Sequence, residues 1–159
     1  MRILCAIATR RGNDVVRQLA EFTREGDEIV LLHVIDTGPR HDLDRLHGPL
    51  HPHLEHKADL DVAEEDAAKA ALSEASEEAA RMRFSFAERL ERGRPERVIV
   101  SVAAEIDADV VVLCARESPQ AHPKQGPPSV GHVARFVVDH APTRVLLLRE
   151  KSPLELRVY

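Results

Sequence analysis

Apolar and polar positions divide this chain into strand-length and helix-length pieces. Ile3, Leu4, Cys5, Ala6, Ile7 and Ala8 are continuously apolar, the pattern of a strand covered on both faces in the middle of a parallel sheet. A polar turn from Thr9 to Asn13 follows, and Asn13 or Asp14 can cap a helix that places Val15, Leu19 and Phe22 on one face and ends at Gly26. Glu28 to Ile35 reads as a second buried strand. Asp36 to Leu54 is then a long loop crowded with His, Pro, Gly and Asp, a kind of segment that is usually functional or mobile. From Ala58 to Met82, Leu60, Ala63, Ala67, Ala71, Ala75 and Ala79 recur at helical spacing, with Asp59, Asp61, Glu64 and Glu65 early, where the helix dipole favours acids. That spacing predicts a long surface helix. Phe84 to Leu90 alternates apolar and polar residues as an edge strand does, and Pro95 can open a helix carrying Val98, Ile99, Val102 and Ile106. Ala108 to Cys114 predicts another buried strand, about Ser129 to His140 the last helix, and Val145 to Leu148 the last strand, before Pro153 breaks the chain.

Strands alternating with helices call for an α/β fold: a parallel sheet with right-handed crossovers and a ligand crevice at the carboxyl ends of the strands where their order reverses. The 159 residues fit one domain over 1–150, with the long loop at about 36–57 and a tail at 151–159. A net charge of -5, with lysines and arginines scattered among acids, leaves no basic face for a phosphate backbone, so nucleic acid is not an expected partner. The longest apolar runs are strand-length and Met1 leads straight into a strand, so no membrane insertion is expected and the location is expected to be the cytoplasm. Cys5 and Cys114 both lie in apolar runs, as reduced, packed thiols do, with no CxxC spacing.

Candidate chemistry is sparse. Ser118 and Ser129 lack a Gly-x-Ser-x-Gly elbow, no His-Glu-x-x-His occurs, and no lysine follows a glycine-rich phosphate loop, so no enzyme is expected. Glu64, Glu65 and Asp66 read as a solvated helix face. His41, His47, His51, His53 and His56 gather in the long loop, and imidazole is a common zinc, nickel and copper ligand. His51 and His53 would share one side of an extended segment with His56 close by; Pro52 leaves the geometry open, and a solvated loop explains the same residues.

The stretch from Asp107 to Arg149, a strand, a Pro-rich polar loop, a helix and a closing strand preceded by His140-Ala141-Pro142, resembles the universal stress protein family. Arg2 to Ala8 and Leu31 to Asp36, which contains His33, extend the likeness over nearly the whole chain. The resemblance implies a three-layer, doubly wound parallel sheet of five strands in the order 3-2-1-4-5, adenine nucleotide alpha hydrolase-like. The crevice would then be lined by Ala8, Thr9, Arg10, Ile35, Ala115, Arg116 and the start of the last helix at Gly131, His132 and Val133.

Nucleotide-binding members of that family hold ATP with Gly, two residues, Gly, nine residues, then Gly followed by Ser or Thr. Small residues let the backbone approach phosphate oxygens, and amides at a helix start bind their charge. Here Cys114 and Glu117 fall on the first two glycines, Gly131 on the third and His132 on the Ser/Thr place, and thirteen residues separate Glu117 from Gly131. A carboxylate at Glu117 would repel phosphate. Ala8 stands where the family has an adenine-contacting aspartate, while Arg116 matches a common Arg. The resemblance thus implies a degenerate site, with no cofactor expected and ATP left as an open alternative. A crevice rebuilt for another anion, with Arg10, Arg11, Arg116 and His132 supplying charge, is also open.

The resemblance further implies a homodimer through Val145, Leu146, Leu147 and Leu148, an apolar edge that would otherwise invite pairing with another chain. Two functions remain: a regulatory binding module in a stress response that meets a protein partner, or a sensor of ATP or another small anion in the crevice. The tail, with Leu154, Leu156, Val158 and Tyr159, either clasps the partner or frays.

Overall fold

A computed structural model describes residues 1–9, 12–38, 57–115 and 130–149. The chain runs β1 (Arg2–Ala6), α1 (Gly12–Leu19), β2 (Glu28–Asp36), α2 (Lys57–Arg81), β3 (Ser85–Gly93), α3 (Pro95–Glu105), β4 (Val110–Cys114), α4 (His132–His140) and β5 (Arg144–Leu148). All five strands are parallel and lie in the order β3-β2-β1-β4-β5, as the resemblance implied. Two apolar clusters explain the unbroken apolar runs. Ile3, Cys5, Ile29, Leu31 and Val112 meet α1 and α2 on one face of the sheet, while Leu4, Leu32, Val111 and Leu113 meet α3 and α4 on the other. A strand buried on both faces has no polar side to show.

Where α1 comes down on the sheet, Gly12 has no room for a side chain. A Cβ there would sit 2.9 Å from Ile7 Cγ2 and 3.2 Å from the Ala71 carbonyl oxygen of α2. Glu78 of α2 then ties the two helices together: it is buried, accepts a hydrogen bond from Arg17 at 2.9 Å and faces the Arg81 guanidinium at 2.8 Å. Arg17 holds the carboxyl below its ordinary range, outweighing the effect of burial.

Several element limits differ from the pattern-based expectation. The helix expected to reach Gly26 stops at Leu19, where Phe22 and Thr23 turn their N–H groups onto the Leu19 carbonyl, and Phe22 is left 47% exposed. In α2 the buried stripe is Ala68, Ala71, Leu72, Ala75 and Ala79, whereas Ala63 and Ala67 are exposed. The last helix begins at His132 because Gly131 has φ 91° and cannot continue a right-handed helix.

The two edges of the sheet are built unlike. β3 carries charge toward both helix layers: Arg89 hydrogen-bonds Glu91 and, through two nitrogens, Glu105 of α3, while Arg92 bonds Glu65 of α2. Charged side chains of this kind blunt an edge. β5 carries Val145, Leu146 and Leu147, all half-buried, and among the described residues no ion pair covers it. Its Leu148 carbonyl accepts the Ala115 N–H at 2.9 Å, which turns the backbone of Leu146 and Leu148 inward. By alternation, Val145 and Leu147 point their N–H and C=O groups away from the sheet.

Candidate functional site

The strand order reverses between β1 and β4, so the crevice expected of a doubly wound sheet opens above Ala6 and Cys114. β1 is prolonged by one bond, Ile7 N–H to the Leu32 carbonyl at 2.8 Å. The chain then emerges, leaving Ala8 and Thr9 exposed. β2 ends in a tight turn in which Asp36 Oδ1 accepts the Gly38 N–H at 2.7 Å.

Gly131 is the N-cap of α4 with φ 91° and ψ 159°, a region that glycine alone enters without strain. Among the described residues no side chain caps this end, and the first turn of α4 holds no acid. The first amides of a helix have no partner inside it and carry its positive end. His132 is exposed, with Nε2 4.0 Å from Glu96 Oε2 of α3. Glu96 follows Pro95 in the first turn of its helix and its side chain is only 17% exposed.

The expected crevice residues are thus distributed as follows. Ala8 and Thr9 lie at the carboxyl end of β1 and Gly131 and His132 at the start of α4, while Val133 is half-buried among the residues joining α3 and α4. Ile35 is buried near the end of β2, and strand alternation puts it with Leu31 on the α1 and α2 side. Arg10, Arg116 and the loop histidines His47, His51, His53 and His56 lie outside the described residues. Among the described residues no three His, Cys, Asp or Glu side chains gather to hold a metal.

Sequence reasoning missed Glu96, although an acid directly after a helix-opening proline is a legible first-turn signal. It also missed a depression of about 300 Å³ along α4, lined by Gly131, His132, Arg135, Phe136, Asp139 and His140. There Phe136 and His140 stack with ring centres 4.0 Å apart, and His140 Nδ1 donates to the Phe136 carbonyl at 2.8 Å. Their spacing of four on α4 was the available signal.

His33 packs inside β2, 5% exposed, with no partner for Nδ1 among the described residues. Burial holds its imidazole below the ordinary value, against a smaller opposing pull from a hydrogen bond to the Ile7 backbone. Cys5 is fully buried, and burial pushes its thiol pKa far up. Cys114 lies on the neighbouring strand but two positions beyond Val112, the partner of Cys5. That diagonal is roughly 8 Å between Cα atoms, longer than a disulfide spans.

The profile of the universal stress protein family matches residues 1–149. The chain belongs to the universal stress protein family. Among solved structures, this universal stress protein is similar to one from Archaeoglobus fulgidus, with 25% identity, a TM-score of 0.65, and coverage of 92% of this chain and 97% of that one. A family protein from Arabidopsis thaliana with AMP bound matches at 15% identity and a TM-score of 0.61, over 96% and 93% of the two chains. A universal stress protein in complex with cAMP matches at 16% identity and a TM-score of 0.52, over 93% and 95%. At such identities the last two establish the fold alone. No curated protein sequence matches the chain. Among the described residues no helix is long and apolar enough to cross a membrane.

Proposed function

We propose that this universal stress protein acts in the cytoplasm by binding and association, without catalysis: a homodimeric regulatory module of a stress response that does not hold ATP tightly. The observation carrying this reading is the unlike treatment of the two sheet edges. β3 is laced with ion pairs on both faces, whereas β5 presents apolar side chains and the outward amides of Val145 and Leu147. An edge of that kind, unprotected among the described residues, fits pairing with a second copy about a two-fold axis. The degenerate signature, with Ala8 in the aspartate place, supports weak nucleotide binding.

Sedimentation of the wild-type protein beside Val145→Pro tests the dimer. Proline at a position whose N–H points off an edge strand leaves the sheet intact but blocks pairing. The reading expects a dimer that becomes a folded monomer; a monomeric wild type would overturn it.

A second reading, favoured by the position of the positive start of α4 beside the point where the strand order reverses, is that the crevice senses ATP or another small anion. Related folds bind AMP and cAMP, and calorimetric titration with AMP and ATP separates this reading from the first.

A further inference from the structure

α4 lies on the β4–β5 end of the sheet, with α3 packed along its inner side. Its buried stripe is Ala134 and Val137, and His132 leans toward Glu96 of α3. At about 3.6 residues per turn, Val138 falls roughly a quarter-turn beyond that stripe, on the side away from α3. It is 50% exposed. Below it is the face of β5 that carries Val145 and Leu147. Beside it Arg135 and Asp139 are exposed, and among the described residues neither is in an ion pair, although a spacing of four lets such groups meet on one helix.

We propose that α4 forms a second contact of the homodimer. It packs antiparallel on the α4 of a second copy, with Val138 near the two-fold axis and Arg135 of each copy paired with Asp139 of the other. The proposal rests on the reading that β5 pairs with its own copy. Antiparallel pairing of two edge strands into one continuous sheet sets the two-fold axis perpendicular to the sheet, so both α4 helices fall on the same face and run in opposite directions. Strands lie about 4.8 Å apart, and a helix over the β4–β5 pair stands about one such spacing from the axis. The two helices are then about 10 Å apart, within the range of packed helices. The symmetry also reverses the order of charges along the partner helix, so an arginine and an aspartate four positions apart complement their own copy twice over.

Sedimentation equilibrium measures the dimerisation constants of the wild-type protein, Arg135→Asp, Asp139→Arg, the double exchange and Val138→Asp, at low and high salt. Circular dichroism confirms that each is folded, as expected for three exposed positions. Reversing one charge turns two attractive pairs into two repulsive ones and should weaken the dimer about tenfold at low salt, and less at high salt. The double exchange should restore the affinity to within about twofold. Val138→Asp, which sets a carboxylate in an apolar contact, should weaken the dimer by about tenfold or more. Wild-type affinity in all the variants overturns the role of α4 and leaves the β5 reading standing. A double exchange no tighter than the single ones overturns the proposed charge pairing. A monomeric wild type overturns both the α4 contact and the β5 reading.

Discussion

Replacing Gly131 by alanine tests the start of α4 with a single methyl group. At φ 91° and ψ 159° an alanine Cβ collides with its own backbone, and a residue other than glycine held in such a region costs about 1–3 kcal/mol. Alternatively the backbone rotates, which displaces the N-cap and the bond from the Arg135 N–H to the Gly131 carbonyl at 3.1 Å. Either route destabilises by a similar amount. For a two-state domain of this size, about 2 kcal/mol lowers the thermal midpoint by roughly 4–8 °C. It also moves the urea midpoint by about 1 M at an m-value of about 2 kcal/mol/M. Thermal and urea unfolding followed by far-ultraviolet circular dichroism measure both shifts. Midpoints unchanged within error would refute the claim that glycine geometry defines where α4 begins.

His33 should make stability depend on pH. Its folded pKa is depressed by burial, so above its unfolded value of about 6.5 both states are neutral and nothing is lost. As pH falls below that value the unfolded chain takes up a proton that the folded one resists, and stability declines until the folded value is passed, at up to about 1.4 kcal/mol per pH unit. Urea titrations at several pH values between 7 and the acid limit measure that slope. His33→Leu should flatten it, and a slope that persists unchanged would assign the effect to other groups. At the opposite edge of the molecule, Arg89→Val combined with Arg92→Val strips the ion pairs from β3. Light scattering should then find species larger than the proposed dimer; an unchanged mass would show that those charges do not guard the edge.

The apolar runs were the most legible feature of the sequence. β1, β2 and β4 sit between neighbours on both sides with a helix layer on each face, so every position from Ile3 to Ile7 and from Val111 to Leu113 must be apolar or small. Helix ends were less legible. Phe22 keeps the period of α1, but the period does not say that the backbone unwinds after Leu19. The alanines of α2 recur so often that several stripes fit equally well. Only the docking of Gly12 against Ala71 and Ala75 and the meeting of Glu65 with Arg92 decide that the buried stripe runs from Ala68 to Ala79. That Ala8 and Gly131 lie at the end of β1 and the start of α4 was readable, because each follows from a local apolar or glycine pattern. The approach of Glu96 to His132 was not, since it is made by the packing of α3 on α4, a relation with no signature in either segment.

Among the described residues the outer edge of β5 has no strand beside it, and the proposed association runs through that edge. Amide hydrogen exchange by NMR, at a concentration where the protein sediments as one species, reads Val145, Leu146, Leu147 and Leu148 separately. Leu146 and Leu148 are held inside the sheet by β4 and should be protected at any concentration. Pairing with a second copy predicts that Val145 and Leu147 are protected as well, and that they alone lose protection on dilution. Rapid exchange of those two amides at every concentration, beside slow exchange of their neighbours, would mean that the edge is bare in solution and that association through β5 is not how this universal stress protein works.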